Sequence, residues 1–152
     1  MNDLAENFLT AKNILIGLNA TSKKDAINKM SQKLEENGIV TDSKKFSADV
    51  MERESLTTTG IGNNIAIPHG KSSSVKEASF IFAKNQTPLE WNSLDGSPVD
   101  IIFLMAVRSD DVGKDHLKML AKLSGKLMDD DFVATIKKEN DPQKLVEIFS
   151  KD

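Results

Sequence analysis

Two histidines occur in the 152 residues, and no cysteine. His69 sits between Pro68 and Gly70 at the end of TTTGIGNNIAIPHGK, residues 57–71. Imidazole has a reference pKa of about 6.5, so near neutral pH its lone pair can attack an electrophile or bind a metal without a separate base. Pro68 stiffens the backbone ahead of the ring, and Gly70 lets the chain leave in conformations other residues resist. A phosphate cradle, a metal ligand and a plain turn all fit the stretch taken alone.

Neighbouring residues favour phosphorus. A phosphohistidine needs donors for oxygens carrying up to about two negative charges. Arg53, sixteen residues before His69, offers a planar fork matched to phosphate. Thr58 and Thr59 bring hydroxyls, the Gly60-Ile61-Gly62 backbone brings N–H groups, and Lys71 adds a positive charge. His116, the second histidine, follows RSDDVGKD near a helix start. If the fold brings it to His69, one imidazole can attack phosphorus while the other hydrogen-bonds the transferred group. Each of these residues also has an ordinary structural reading as a turn or solvated surface residue.

Other chemistries lack their patterns. The Gly-Ile-Gly run is not GxGxxG, carries no P-loop lysine and precedes a strand. No HExxH or GxSxG is present. His69 and His116 with Asp95 or Asp115 could hold a metal for hydrolysis, but no local spacing enforces that geometry. The absence of cysteine removes disulfides, thiolate metal sites and cysteine nucleophiles. A net charge of −3 argues against nucleic acid as partner. No apolar run approaches the roughly 20 residues of a membrane span, and MNDLAENFLTAKN lacks a secretory pattern. These features fit a cytoplasmic protein.

A chain of this length fits one domain, here residues 1–152, able to bury about 70% of its unfolded surface. The pattern predicts a strand at 14–18 and a helix capped by Thr21 or Ser22, with Ala26, Ile27, Met30 and Leu34 on its buried face and Gly38 as its stop. A second helix starts at Asp42 or Ser43 and runs to about Glu54, placing Arg53 in its last turn. Strands follow at 65–67, 78–83 and 101–107, separated by turn signals NQTP (85–88) and LDGSP (94–98). The seven apolar residues IIFLMAV suit a central strand covered on both faces. The last third is helical: a face of Leu117, Leu120, Ala121, Leu123, Ser124 and Leu127, then starts at Asp129–Asp131 and Asp141-Pro142. Helices at both ends and strands between them predict an α/β three-layer sandwich, a central sheet flanked by helices on both faces.

The block RESLTTTGIGNNIAIPHGK (53–71) resembles the enzyme IIA domains of the fructose–mannitol class in the bacterial sugar phosphotransferase system. PLEWNSLDGSPVDIIFLMAV (88–107) and DHLKMLAKLSGKLM (115–128) agree in the same order. The resemblance implies a mixed sheet, His69 as the phosphorylated histidine, His116 as the second active-site histidine and Arg53 as the phosphate-facing arginine. Thr58, Thr59, Gly60 and Gly62 then line the phosphate site. Asn64 stands where the family usually has glycine, and asparagine tolerates positive φ. Arg108 replaces a frequent proline. The implied function is a relay: the phosphocarrier HPr phosphorylates His69, which passes the group to a cysteine of a IIB domain on another chain. A membrane IIC component is engaged only indirectly, and no cofactor is needed. Nitrogen-type members of the superfamily keep the histidine but act by switching other proteins, which leaves a regulatory role as the alternative.

Overall fold

The computed structural model describes residues 10–111 and 115–150; the side chains of Asp115 and His116 lie outside that set. Its organising element is β6 (Val99–Arg108), which contains IIFLMAV. Side chains alternate across a strand. Ile101, Phe103, Met105 and Val107 accordingly enter one core, and Ile102, Leu104 and Ala106 enter another on the opposite face. A strand covered on both sides can be apolar throughout, and this one is.

The first core is closed by α3 (Asp115–Leu127), α4 (Asp130–Lys138) and α5 (Pro142–Ser150), through Met119, Leu123, Leu127, Val133, Ile136, Leu145 and Phe149. Phe82, Phe103 and Phe149 meet there with ring centroids 4.9, 5.3 and 5.6 Å apart. The second core is closed by α1 (Lys23–Glu36) and α2 (Ser43–Leu56), through Ala26, Ile27, Met30, Leu34, Phe46 and Val50, with Trp91 sealed among them. The fold is therefore an α/β sandwich of helices, mixed sheet and helices.

The other strands are β1 (Ile14–Leu18), β2 (Gly60–Gly62), β3 (Ile65–Ala66), β4 (His69–Ser72) and β5 (Ser79–Leu89). The sheet order is β1-β5-β6-β3-β2, with β4 also paired to β6. β5 is antiparallel to β6, whereas β3 and β4 are parallel to it. Among the described residues no helix is long and apolar enough to cross a membrane.

Local chemistry sets the helix ends. Ser22 Oγ accepts from the Asp25 N–H, and Asp25 Oδ2 accepts from the Thr21 N–H, a reciprocal cap. That N–H, with Lys29 next in weight, holds the Asp25 carboxyl below the usual carboxylate range. At the other end Gly38 takes φ 77°, its N–H bonding Glu35 O and the Ile39 N–H bonding Leu34 O, a Schellman motif. Asp42, Asp129 and Asp141 accept N–H bonds at the starts of α2, α4 and α5.

Three expectations change. NQTP is not a turn but the irregular second half of β5, where the register with β6 shifts between Lys84 and Leu89. The buried Asn85 amide stabilises that irregularity: Oδ1 accepts from Ala20 N, and Nδ2 donates to Ala20 O and Thr87 O. The GIG segment is a short strand rather than a loop. On α3, Leu117 is 50% exposed and Ala121 also faces out, while Met119, Leu123 and Leu127 at i, i+4 and i+8 form the buried stripe.

Candidate functional site

His69 opens β4, which pairs in parallel with β6, His69 opposite Met105. β3 uses the same offset, with Ile65 opposite Ile101, so β3 and β4 continue one strand line beside β6, interrupted at Ile67 and Pro68. Pro68 O still accepts from Met105 N at 2.9 Å, but proline has no N–H to return to the ladder. Ile67 faces the other way. Its N–H donates to Thr59 O at 3.0 Å, and its carbonyl lies 3.2 Å from His69 Nδ1. A carbonyl only accepts, so Nδ1 is the donor in this contact, and in a neutral ring that places the lone pair on Nε2.

Arg53 lies half-buried in the last turn of α2, as the spacing predicts, and its Nη1 donates to Thr57 O at 3.2 Å. That helix packs directly on the strand of His69. Gly70 makes the approach close: a β-carbon there would stand 2.6 Å from Val50 Cγ2 and 3.2 Å from Val50 N. His116 lies in the first turn of α3, with its side chain outside the described residues. Lys71 Nζ reaches Asp111 O at 3.2 Å. Among the described residues no cluster of three or more His, Asp or Glu could hold a metal.

A family model described as "Phosphoenolpyruvate-dependent sugar phosphotransferase system, EIIA 2" matches residues 7–152. The chain belongs to that family. It is a phosphotransferase component of the enzyme IIA type. Among its relatives is the 2-O-alpha-mannosyl-D-glycerate-specific EIIABC component of Escherichia coli, 37% identical over 83% of this chain but only 19% of that protein. The chain thus spans about a fifth of that relative. It spans 88% of the nitrogen regulatory protein of Bradyrhizobium diazoefficiens, at 33% identity over 90% of this chain. Among solved structures, the nitrogen regulatory protein IIA-Ntr of Neisseria meningitidis superposes with a TM-score of 0.84 at 27% identity, covering 91% of this chain and 94% of that one. Enzyme IIAMTL of Escherichia coli, in its complex with phosphorylated enzyme IIBMTL, gives a TM-score of 0.78 over 93% of this chain and 96% of that one. At 22% identity it speaks for the fold alone.

Within this IIA domain three of the donors expected to line the phosphate, the Thr58 and Thr59 hydroxyls and the Gly60 N–H, are bonded to protein. Thr58 Oγ1 donates to Trp91 O at 2.9 Å and accepts from the Gly60 N–H at 3.1 Å. Thr59 Oγ1 donates to Glu54 Oε1 at 2.6 Å and accepts from Trp91 Nε1 at 3.2 Å. Gly62 has φ 105°, and a side chain there would meet the Asp95 carboxylate. Asn63 and Asn64 follow at φ 56° and 68°, so asparagine does supply the positive φ expected of position 64. Asp95 braces this turn, accepting from the Ser97 hydroxyl and N–H and from the Asn63 N–H. The Ser97 hydroxyl is the main reason its carboxyl is held below the usual range. Arg108 forms a two-pronged pair with Asp110 at 2.9 and 2.7 Å.

The residue that motif reading passed over is Glu54. Its side chain is buried, 3.2 Å from Lys23 Nζ, and takes both the N–H and the hydroxyl of Thr59. A signal was present. An acid in the last turn of a helix opposes the helix dipole, so a glutamate there calls for a specific partner.

Proposed function

We propose that this IIA domain relays phosphoryl groups for sugar uptake, taking the group from phospho-HPr on His69 and handing it to a cysteine of a IIB component. No cysteine lies among these 152 residues, so that acceptor lies outside them. The supporting observation is the His69 ring itself: with Nδ1 donating to Ile67 O, the Nε2 lone pair is the nucleophile. In each step the new bond to phosphorus forms as the old one breaks, first from the HPr nitrogen to Nε2 and then from Nε2 to the IIB sulfur. Arg53 and His116 stabilise charge on the transferred oxygens. Thr58, Thr59, Gly60 and Gly62 shape the β2 segment beside them, the first two through the bonds described above. Catalysis of this kind is positioning plus electrostatics and requires no cofactor. The match to an EIIABC component at 37% identity, in which a IIA region accompanies B and C components, supports a IIB partner; a cytoplasmic site of action and an indirect link to a membrane IIC component belong to the same reading.

A second reading, a regulatory IIA of the nitrogen type, is supported by the near full-length match to the Bradyrhizobium protein and the fit to the Neisseria structure. Its output would be partner choice, altered by roughly two added charges on phosphorylation. Labelling with phospho-HPr separates the possibilities. Wild type should take up one phosphoryl group and His69→Ala none; full labelling of His69→Ala at another residue would overturn the assignment. Transfer onward to a IIB and sugar supports transport. Its failure, with tight binding to a kinase or regulator, supports the switch.

A further inference from the structure

β2 and β3 are antiparallel with Gly60 opposite Ala66. Continuing that register by one residue sets Thr59 opposite Ile67. In such a hydrogen-bonded pair each residue donates its N–H to the other's carbonyl. Only half of the exchange is present. Ile67 N–H reaches Thr59 O at 3.0 Å, but Thr59 N–H goes instead to Glu54 Oε2, also at 3.0 Å. The carbonyl thereby left over, Ile67 O, is the one that takes His69 Nδ1 at 3.2 Å.

We propose that Glu54 is a positioning residue for His69. By drawing the Thr59 N–H out of the β2–β3 ladder, it reserves the Ile67 carbonyl for Nδ1 and so makes Nε2 the nucleophilic nitrogen. Glu54 suits this task. Its carboxylate outcompetes a neutral carbonyl for an N–H, because hydrogen bonds to a charged acceptor are about twice as strong as neutral ones. It is fixed from three sides: Lys23 at 3.2 Å, the Thr59 hydroxyl at 2.6 Å and the Thr59 N–H. Lys23 in turn lies 5.2 Å from the Trp91 ring centre, and Trp91 Nε1 donates to Thr59 Oγ1. Glu54 is also the neighbour of Arg53 in sequence, so one anchor ties the arginine's helix to the histidine's strand.

The inference rests on His69 being the phosphoryl acceptor, but its main readout needs no phosphate. In the 152-residue chain labelled with nitrogen-15 histidine at about pH 8, where imidazole is neutral, ring nitrogen shifts report the tautomer. Wild-type His69 should show a protonated Nδ1. Glu54→Leu removes the acceptor, lets Thr59 N–H close onto Ile67 O and should shift His69 toward the Nε2–H form. Glu54→Gln, a weaker neutral acceptor, should fall between. Phosphoryl acceptance from phospho-HPr should drop in the same order, by about 10- to 100-fold for Glu54→Leu, as expected for a misplaced reacting group. A merely structural role for Glu54 would lower stability without moving the tautomer. If Glu54→Leu does not fold, Glu54→Gln decides. A folded variant with the wild-type tautomer and rate overturns the inference, as does a wild-type His69 lacking the Nδ1 proton. Labelling of His69→Ala would instead overturn the acceptor assignment and leave the tautomer result standing.

Discussion

Gly70→Ala tests whether the contact between α2 and β4 sets the spacing of Arg53 and His69. The φ of Gly70 lies outside the left-handed region, so the cost of the added methyl is steric. Its β-carbon would stand 2.6 Å from Val50 Cγ2, 3.2 Å from Val50 N and 3.3 Å from Phe46 Cε1. Carbon–carbon contacts are optimal at about 3.5–4.0 Å, so the first contact is roughly 1 Å too short. Val50 is buried and, like any valine in a helix, stiff at χ1. Its backbone nitrogen cannot rotate away, so α2 must back off. Overpacking of this kind costs about 1–3 kcal/mol. In a chain of this size, 2 kcal/mol lowers Tm by roughly 4–8 °C. Since α2 carries Arg53 three residues beyond Val50, phosphoryl acceptance should also fall, by about 10-fold or more. Urea unfolding and a single-turnover labelling assay measure the two effects. The decisive control is the double-mutant cycle with Val50→Ala, which removes the clashing methyl and should make Gly70→Ala cheaper by about 1 kcal/mol or more. Costs that add to within roughly 0.5 kcal/mol would refute the steric cause. Lost stability at an unchanged labelling rate would refute the link to Arg53.

Two further outcomes follow from groups outside the histidine pocket. Lys84 Nζ donates to Lys137 O at 2.8 Å, Glu139 O at 2.7 Å and Asn140 Oδ1 at 3.1 Å, tying the end of α4 to β5. Lys84→Met should lower stability by about 2 kcal/mol in urea unfolding, and an unchanged midpoint would show that water replaces those bonds. Burial pulls the Lys84 pKa down, opposed by Asp100 and Glu139, so its unfolded form binds more protons near pH 10 and this group alone makes stability rise with pH there. Asp95 has the opposite consequence at low pH. Its folded carboxyl lies below the ordinary value of about 3.9, so its contribution is whole above that pH and is lost as pH falls through the folded value. Wild type should therefore lose more stability below about pH 4 than Asp95→Asn, and parallel acid limbs in unfolding would contradict this.

What could be read from sequence was what local chemistry decides. Ser22, Gly38, Asp42 and Asp141-Pro142 mark helix ends because a cap is satisfied within a few residues. IIFLMAV announced a strand covered on both faces, and that implied two helical layers. Contacts distant in sequence stayed hidden. Asn85 looked like a turn residue because its partner, Ala20, lies 65 positions away. The glycines of the GIG segment suggest an anion cradle, and the sequence could not show that Gly60 and Gly62 also pack closely against Ser93 and Asp95. Thr58 and Thr59 advertised hydroxyls whose actual partners, Trp91 and Glu54, no motif names. For His69 and Arg53 the motif was sufficient to place them, the one at a strand start and the other in a last helical turn.

The position of His69 after proline has a reason in the hydrogen-bond lattice of the sheet. A histidine on an ordinary internal strand finds the nearby backbone carbonyls already occupied, and its ring tautomer is left to solvent. Here the line of β3 and β4 is interrupted on both sides within two residues. Toward β6, Pro68 accepts from Met105 but has no N–H to return. Toward β2, Ile67 donates to Thr59, whose own N–H is held by Glu54. The first gap ends β3 and restarts the strand at His69 without changing register, which keeps the imidazole on a rigid ladder. The second leaves one carbonyl for the ring, within reach of Nδ1. Proline alone would stiffen the backbone without selecting a nitrogen, and a free carbonyl alone would select a nitrogen on a loose backbone. In the relay proposed for His69, the nucleophile must present the same atom to two successive partners and so needs both.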